Sequence, residues 1–557
     1  MDMNLINKIK TACLCLCLGS LASCSDFFEP DNSTYLDGKD YIKETSEMYS
    51  GFVGIATKLQ AIGDKAIYLT DVRAEMFEPT GNSTELTELY NYETDLTGNK
   101  FADPAKYYDV IHACDDYMAK AQDYRAKHPY SVDETHYKGL IGGALRIKAW
   151  VYFTLGKIYG EAVWFDRPLN EVVVYPNPID LDEIIVKCEE LLEVGFDGVD
   201  GKSKMLWGEW ISATDDAASE IIGQYANWDM MTPEYFVLAA ELELWKRIPD
   251  YSRIVYDLLL PNMNEAFETS PINNTWSKWM LTIGYGNGFG SIFRTTSNVP
   301  VSMITYNHLR NQVNDLEVVF KRSSTRMLVP ADVAVARFRD PNFNPAVDNQ
   351  DFTLKYDRRE SNYIRGEEGN YYFYKYNVGD TDDNPIFIYR SIELYLMLIE
   401  SFNHLKEYDQ MDVLLNKTVF GRFPGINDFI TWPGFTDYWR EYTPRGKRAY
   451  AASSGVRTIA NANQPRTMMT FEDADDVAAA IRHNDMEILK EMILEYAGEG
   501  KTYPAMLRMA RRYNDYNIIA DLVCPKYPED KQDEIRQRIL DGGYFVPWKL
   551  DSKSSSH

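Results

Sequence analysis

Apolar residues recur at intervals of about one helical turn in three separate segments of the chain. Around Tyr152, Leu155 and Tyr159, for example, the apolar side chains share one face of a run that predicts an amphipathic helix. Each segment also contains a second apolar run, and the two runs together predict a helical hairpin. The three predicted hairpins occupy residues 144–194, 233–260 and 386–418.

The first hairpin carries Leu155-Gly156 followed by Tyr159, which is similar to the signature of a tetratricopeptide repeat. The other two hairpins share only the apolar spacing, and a generic amphipathic hairpin gives the same intervals. The hairpins are also far apart along the chain, whereas the units of a solenoid follow one another at a short period. The pattern therefore predicts tetratricopeptide-like helical units that are not in tandem.

The stretches between the hairpins are rich in Gly, Pro, Asn and aromatic residues, which indicates irregular structure. Four such insertions are predicted: residues 197–228, 261–300, 338–385 and 423–465. The resulting fold class is mainly α, with a tetratricopeptide-like helical-repeat scaffold, large irregular loop insertions and little β structure. We expect a single domain over residues 41–557, in which rigid helices position irregular binding segments.

The N-terminus has the features of a secretory signal. Lys8 and Lys10 precede the apolar run Thr11–Leu18, which is too short to span a bilayer because a spanning helix needs roughly 20 apolar residues. Leu21-Ala22-Ser23-Cys24 then resembles a lipobox. We predict a signal peptide at residues 1–23, lipidation of Cys24 and an acidic tether at residues 24–40. The alternative is an ordinary secretory peptide in which Cys24 has no role.

Charge and cysteine content narrow the class of protein further. The chain has 84 Asp and Glu against 58 Lys and Arg, a net charge of -26, which argues against a nucleic-acid partner. Outside the predicted signal peptide and Cys24, only Cys114, Cys188 and Cys524 remain. Their wide spacing and odd number predict buried thiols, with no disulfide framework and no metal site.

The sequence lacks the spacing motifs of catalysis. It contains no nucleophile elbow, phosphate-binding loop or His-rich metal motif, and we expect no cofactor. Asp380-Thr381-Asp382-Asp383-Asn384 begins like a calcium loop, but Pro385 stands where the loop needs Gly. A solvated turn is the better interpretation.

Aromatic side chains beside amides are typical of carbohydrate binding, because a sugar has an apolar face and a rim of hydroxyl groups. Trp276 and Trp279 would share one face of a helix, and the alternative is that both pack inside the protein. The first group of candidate ligand-binding residues is Asn273, Asn274, Trp276, Trp279, Tyr285 and Phe289.

A second candidate region lies in a polar stretch before the helix that is predicted to begin near Tyr108. Its candidate residues are Asn82, Tyr90, Tyr92 and Asn99. An ordinary surface loop has a similar composition, so that alternative stays open.

Several motifs in chain order resemble the SusD/RagB family of outer-membrane nutrient-binding proteins. They are Tyr108-Asp109-Val110-Ile111, Leu145–Leu155 with Tyr159-Gly160, Ile388–Leu396 with Glu400, and Ile493-Leu494-Glu495 with Gly498-Glu499-Gly500 and Leu507-Arg508. Thr502 and Ala505 depart from the family pattern, which usually has Arg and Asp there. The chain is therefore identified as a divergent SusD-like member.

The resemblance implies a function that the residues alone do not. SusD-like proteins are surface lipoproteins without enzymatic activity. They cover a TonB-dependent, SusC-like transporter and capture oligosaccharides for import. We therefore expect an outer-membrane location through the lipid anchor alone, a glycan ligand and a SusC-like partner. The alternatives are a protein that only docks on the transporter and a binder of peptides or glycopeptides.

Overall fold

The computed structural model describes most of the chain between residues 42 and 547. The described residues are 42, 45–172, 174–204, 228–262, 300–345, 357–376, 384–416, 455–460, 465–471 and 476–547. The predicted signal peptide, Cys24 and the acidic tether lie outside them, as does most of the predicted insertions 197–228, 261–300 and 423–465, whereas most of the insertion 338–385 is described.

The described part of the chain is mainly helical, as predicted. Its α-helices are α1 Thr45–Gln60, α2 Lys65–Asp71, α3 Thr84–Tyr90, α4 Ala105–Lys127, α5 Glu134–Tyr159, α6 Leu181–Glu193, α7 Tyr235–Trp245, α8 Leu316–Phe320, α9 Asp332–Arg337, α10 Arg358–Tyr363, α11 Ser391–Leu405, α12 Tyr408–Asn416, α13 Val456–Ile459, α14 Val477–Tyr496, α15 Thr502–Tyr513, α16 Asn517–Val523 and α17 Glu529–Arg538. π-Helical turns follow at Arg253–Leu259 and Ile539–Gly543.

Strands are few and short in the described residues. They are β1 Phe77–Pro79, β2 Glu161–Val163, β3 Pro178–Asp180, β4 Pro300–Ile304, β5 Leu328–Pro330, β6 Ile364–Arg365, β7 Tyr372–Phe373 and β8 Ile386–Arg390. Each belongs to an antiparallel pair: β1 with β5, β2 with β3, β4 with β8, and β6 with β7. The prediction of little β structure is confirmed.

Helical pairs lie in all three segments with the hairpin pattern. Helix α5 packs against α6, α7 against the π-helical turn Arg253–Leu259, and α11 against α12. In the first pair, a Cβ atom at Gly156 would lie 2.7 Å from Leu181 Cδ1. The glycine of the Leu155-Gly156 dipeptide therefore lets the start of α6 approach α5 closely.

The three cysteines outside the N-terminal region are buried and free, as predicted. Cys114 lies in α4 and Cys188 in α6, where the Cys188 thiol donates a hydrogen bond to the carbonyl oxygen of Ala149 at 3.3 Å. Burial raises the pKa of both thiols. They act as small apolar core residues.

Helix α14 is held by a network of buried ions. The Glu491 carboxylate pairs with Arg359 at 2.7 Å, with Arg457 at 2.6 Å and with Arg466 at 2.6 Å, and none of these side chains is exposed. One turn later, Glu495 pairs with Arg390 at 2.8 Å. The network ties α10, α13 and β8 to α14, because each of these elements supplies a guanidinium.

Candidate functional site

The β6–β7 hairpin separates its side chains into an inner and an outer set. Successive residues of a strand point to opposite faces, so the run from Tyr372 to Lys375 alternates. Phe373 is buried against Phe77, with ring centroids 4.9 Å apart, and the Lys375 side chain is fully buried. Tyr372 and Tyr374 lie on the other face and are half-buried.

The inner set is fixed by the segment that follows α14. Lys375 Nζ donates a hydrogen bond to the carbonyl oxygen of Ala497 at 2.9 Å and pairs with Glu499. Tyr376 Oη donates to the carbonyl oxygen of Gly498 at 2.6 Å. These contacts hold the hairpin at a fixed position on the core, and the outer tyrosines are positioned with it.

Replacing Gly498 by Ala is expected to displace the hairpin. Gly498 has φ of 76°, and a Cβ atom there would lie 2.4 Å from Phe373 Cζ. We expect a loss of about 2–4 kcal/mol in the free energy of unfolding, from backbone strain and from crowding of the ring. Gly369→Ala is the matched control, because Gly369 has φ of 75° with no atom within 4 Å of a Cβ. Denaturant unfolding should show a clearly smaller loss for the control, and equal losses would contradict the packing role of Gly498.

The outer face carries a row of two tyrosines between two arginines. The guanidinium of Arg322 lies over the Tyr372 ring, 5.2 Å from its centroid. Tyr372 and Tyr374 meet edge to face, with centroids 6.3 Å apart. The guanidinium of Arg365 lies 4.8 Å from the Tyr374 centroid. Arg365 is also the cross-strand partner of Tyr372, which places both on one face. We call Arg322, Tyr372, Tyr374 and Arg365 the Arg–Tyr row.

The side-chain polar atoms of the Arg–Tyr row are available to a ligand, because they lack ion pairs and hydrogen bonds to the described residues. Arg322 and Arg365 are exposed, and within the described part of the chain neither lies within 4.0 Å of a carboxylate oxygen. The hydroxyl groups of Tyr372 and Tyr374 make no hydrogen bond to those residues either. Glu367 and Glu368 are exposed in the turn between the strands, without an ion pair to Arg365.

Asn82 is exposed and supports the loop that carries Arg322. Its Nδ2 donates hydrogen bonds to the carbonyl oxygens of Ser324 at 3.0 Å and Arg326 at 2.7 Å. This candidate therefore lies beside the Arg–Tyr row. Asn82 is a candidate because its amide could bind a ligand. In the structure the amide nitrogen donates instead to carbonyl oxygens of the protein's own backbone.

The other three candidates of the second group serve the interior. Tyr92 is buried, and its Oη donates to the carbonyl oxygen of Arg73 at 2.6 Å. Asn99 is buried, donates to Glu85 and Glu88, and accepts two backbone N–H groups. Tyr90 packs on Tyr527 with ring centroids 4.5 Å apart. The side-chain polar atoms of Tyr92 and Asn99 are therefore engaged in hydrogen bonds within the protein.

The first group of candidates, Asn273, Asn274, Trp276, Trp279, Tyr285 and Phe289, lies outside the described residues. The structure therefore leaves their role as a prediction from the sequence. The calcium-like run is likewise undescribed apart from Asn384.

A cavity of about 110 Å³ lies in the interior between α5, α7, α11, β8 and α15. Lys157 Nζ pairs with Glu241 at 2.9 Å, and Tyr389 Oη donates to the same carboxylate at 2.6 Å. Burial alone would raise the pKa of Glu241, but Lys157 and Tyr389 lower it. Lys501 pairs with Glu393, and both residues also line the cavity. Since these charges are matched internally, the cavity is part of the packing between helical units.

Two features are absent from the described ranges, a cluster of metal ligands and a membrane-spanning helix. No group of three or more His, Cys, Asp or Glu side chains there could hold a metal ion. None of the helices described is both long enough and apolar enough to cross a bilayer.

The helical units with short paired strands define a SusD-like fold, and comparison with solved structures confirms this prediction. A SusD superfamily protein from Bacteroides vulgatus ATCC 8482 has a TM-score of 0.56 at 11% identity, with 90% of this chain and 95% of that chain covered. One from Bacteroides thetaiotaomicron VPI-5482 gives 0.54 at 14% identity, with 91% and 95% covered. A putative sugar binding protein from Bacteroides vulgatus ATCC 8482 gives 0.51 at 14% identity, with 84% and 87% covered.

No protein-family model matches the sequence, and neither does any curated protein. The likeness of fold extends over nearly the whole chain while the identity is very low. The chain therefore has the SusD-like fold in a strongly divergent sequence.

Sequence reasoning missed the Arg–Tyr row. The signal for its tyrosines was present: Gly366-Glu367-Glu368-Gly369 followed by Tyr371-Tyr372-Phe373-Tyr374 is a turn and an alternating strand. Arg322 had no such signal, because the contact with Tyr372 joins two segments that are distant along the chain.

Proposed function

We propose that this protein is a surface-exposed binding lipoprotein that captures oligosaccharides or polysaccharides for import through a partner TonB-dependent, SusC-like transporter. The observation that carries the proposal is the SusD-like fold over 90% of the chain. One solved structure with this fold is described as a putative sugar binding protein. The lipobox-like sequence before Cys24 supports attachment to the outer membrane by lipid.

The helical units and the irregular segments have separate tasks in this proposal. The helical scaffold docks on the transporter, and the insertions together with the outer face of the β6–β7 hairpin meet the glycan. The chain binds its ligand without cleaving it. A glycoside hydrolase would release new reducing ends from a polysaccharide, and we expect none.

Affinity electrophoresis tests the proposal. The full chain, extracted in a mild neutral detergent, is run through gels that contain plant, fungal, bacterial or host polysaccharides. We expect retardation by one class of glycan, because binding to the immobile polymer slows migration. Migration unchanged in every gel would refute glycan binding and leave a peptide ligand or a docking protein, which copurification with the transporter would examine next.

The double variant Trp276→Ala/Trp279→Ala tests the first group of candidate residues. If these rings form an aromatic platform for the sugar, affinity should fall at least tenfold while copurification with the transporter persists, since stacking removes apolar surface from water. Tyr130→Ala is the control, because Tyr130 is fully exposed in the turn between α4 and α5. Unchanged retardation of the double variant would show that the two tryptophans do not bind the glycan.

A further inference from the structure

We propose that the Arg–Tyr row is a subsite for an anionic saccharide, one that carries carboxylate or sulfate groups. This inference rests on the proposed function and specifies the class of glycan. It starts from the charge balance of the chain, which has 84 acidic against 58 basic residues. In such a protein a guanidinium usually has a carboxylate partner nearby, and Arg322 and Arg365 have none among the described residues.

The ring faces of the row point to the same class of ligand. A neutral sugar binds an aromatic ring by stacking its C–H face on the ring. The guanidinium groups of Arg322 and Arg365 already occupy one face of Tyr372 and of Tyr374, at 5.2 and 4.8 Å from the centroids. That arrangement leaves less ring surface for a neutral sugar and favours recognition by hydrogen bonds and charge.

Stacking on a ring also orients the guanidinium. The group is planar, and its five N–H donors lie in that plane. When one face rests on a tyrosine, the donors at the rim stay available in a restricted set of directions. Such pre-organised donors bind carboxylate and sulfate oxygens through charge-assisted hydrogen bonds. The hydroxyl groups of Tyr372 and Tyr374 add two neutral donors between the two charges.

The supports beneath the row are rigid, which a binding surface requires. Phe373 and Lys375 fix the hairpin from the core side, and Asn82 fixes the loop of Arg322 from the side. Acidic side chains on adjoining segments of the described chain include Glu367 and Glu368 in the turn, and Asp332, which accepts the backbone N–H of Gly369. They restrict approach from the turn, so we expect the anion to lie between Arg322 and Arg365.

Matched pairs of polysaccharides test the inference on the full chain. Polygalacturonate is compared with its methyl ester, and dextran sulfate with dextran, by affinity electrophoresis at low and at physiological salt. We expect at least tenfold tighter retention by at least one anionic member than by its neutral counterpart, with weakening at higher salt. The carboxylate and sulfate pairs distinguish the two sources of charge.

The variant Arg322→Gln/Arg365→Gln should lose that selectivity, with affinity for the anionic polymer reduced at least tenfold. Arg482→Gln/Arg536→Gln is the control with the same change in net charge, since the exposed Arg482 and the half-buried Arg536 pair with Asp515 and Asp521 elsewhere. Retention by neutral polymers alone, or anionic retention that survives in the first variant, would overturn the inference while the proposed function stands. Retention by no glycan at all would overturn both.

Discussion

Replacing Glu491 by Gln should cost about 3–5 kcal/mol in the free energy of unfolding, or prevent folding, because it leaves a buried cluster of charge without its partner. Glu491 is the shared partner of three fully buried arginines, Arg359, Arg457 and Arg466. Burial by itself would raise the pKa of this carboxyl, but the three guanidinium groups hold it well below its usual range. Glutamine keeps the shape of the side chain and removes the charge.

The control for Glu491→Gln is the same substitution at Glu534. That residue is exposed on α17, where it pairs with Lys531 at 3.1 Å and Arg538 at 2.8 Å. Exposed ion pairs contribute little to stability because water and salt screen them, so this variant should unfold at nearly the wild-type denaturant concentration. Denaturant unfolding measured by circular dichroism compares the two, and similar small losses would contradict the role assigned to the buried cluster.

Replacing Glu499 by Gln should destabilise the protein near neutral pH and much less in acid. Burial alone would raise the pKa of Glu499, but Arg390 and Lys375 lower it to about 2. A carboxylate whose folded pKa lies below its unfolded value stabilises the folded state above the unfolded pKa. From 4.5 to about 2, the shift corresponds to about 3 kcal/mol. This contribution is lost as the pH falls from about 4.5 to about 2.

The difference between wild type and Glu499→Gln isolates this effect, because other titrating groups are present in both proteins. We expect that difference to be largest above pH 5 and to shrink steadily towards pH 2, since the wild-type carboxyl then takes up a proton. Urea unfolding at a series of pH values measures it. A difference that stays constant across the series would show that Glu499 does not ionise as its contacts imply.

The buried network explains what the family-like motifs do in this chain. Arg390, Glu495 and Glu499 all belong to motifs that carried the resemblance to SusD/RagB proteins. In the structure Arg390 pairs with both Glu495 and Glu499, although it is 109 residues from Glu499 along the chain. The segment that follows α14, which contains Glu499, also accepts a hydrogen bond from Lys375. Lys375 in turn fixes the β6–β7 hairpin that carries the Arg–Tyr row. The motif thus supports the Arg–Tyr row from inside without being part of it.

The sequence by itself determined the helical class of the fold. Apolar spacing is a local property, and it predicted helices in the segments where α5 with α6 and α11 with α12 lie. The three isolated cysteines were likewise correctly predicted as buried thiols. These inferences needed only neighbours along the chain.

Only the tertiary structure decided which polar residues are free to bind. Tyr92 and Asn99 lie in a stretch with the composition of a binding loop. Their side-chain polar atoms nevertheless form hydrogen bonds with groups that folding brings close. Nothing in the local sequence distinguishes Arg322 from other surface arginines, because its contact with Tyr372 forms only in the folded protein. A polar side chain can serve a ligand only when the protein leaves its hydrogen bonds unmade. That condition depends on residues far away in sequence, so local patterns do not reveal it.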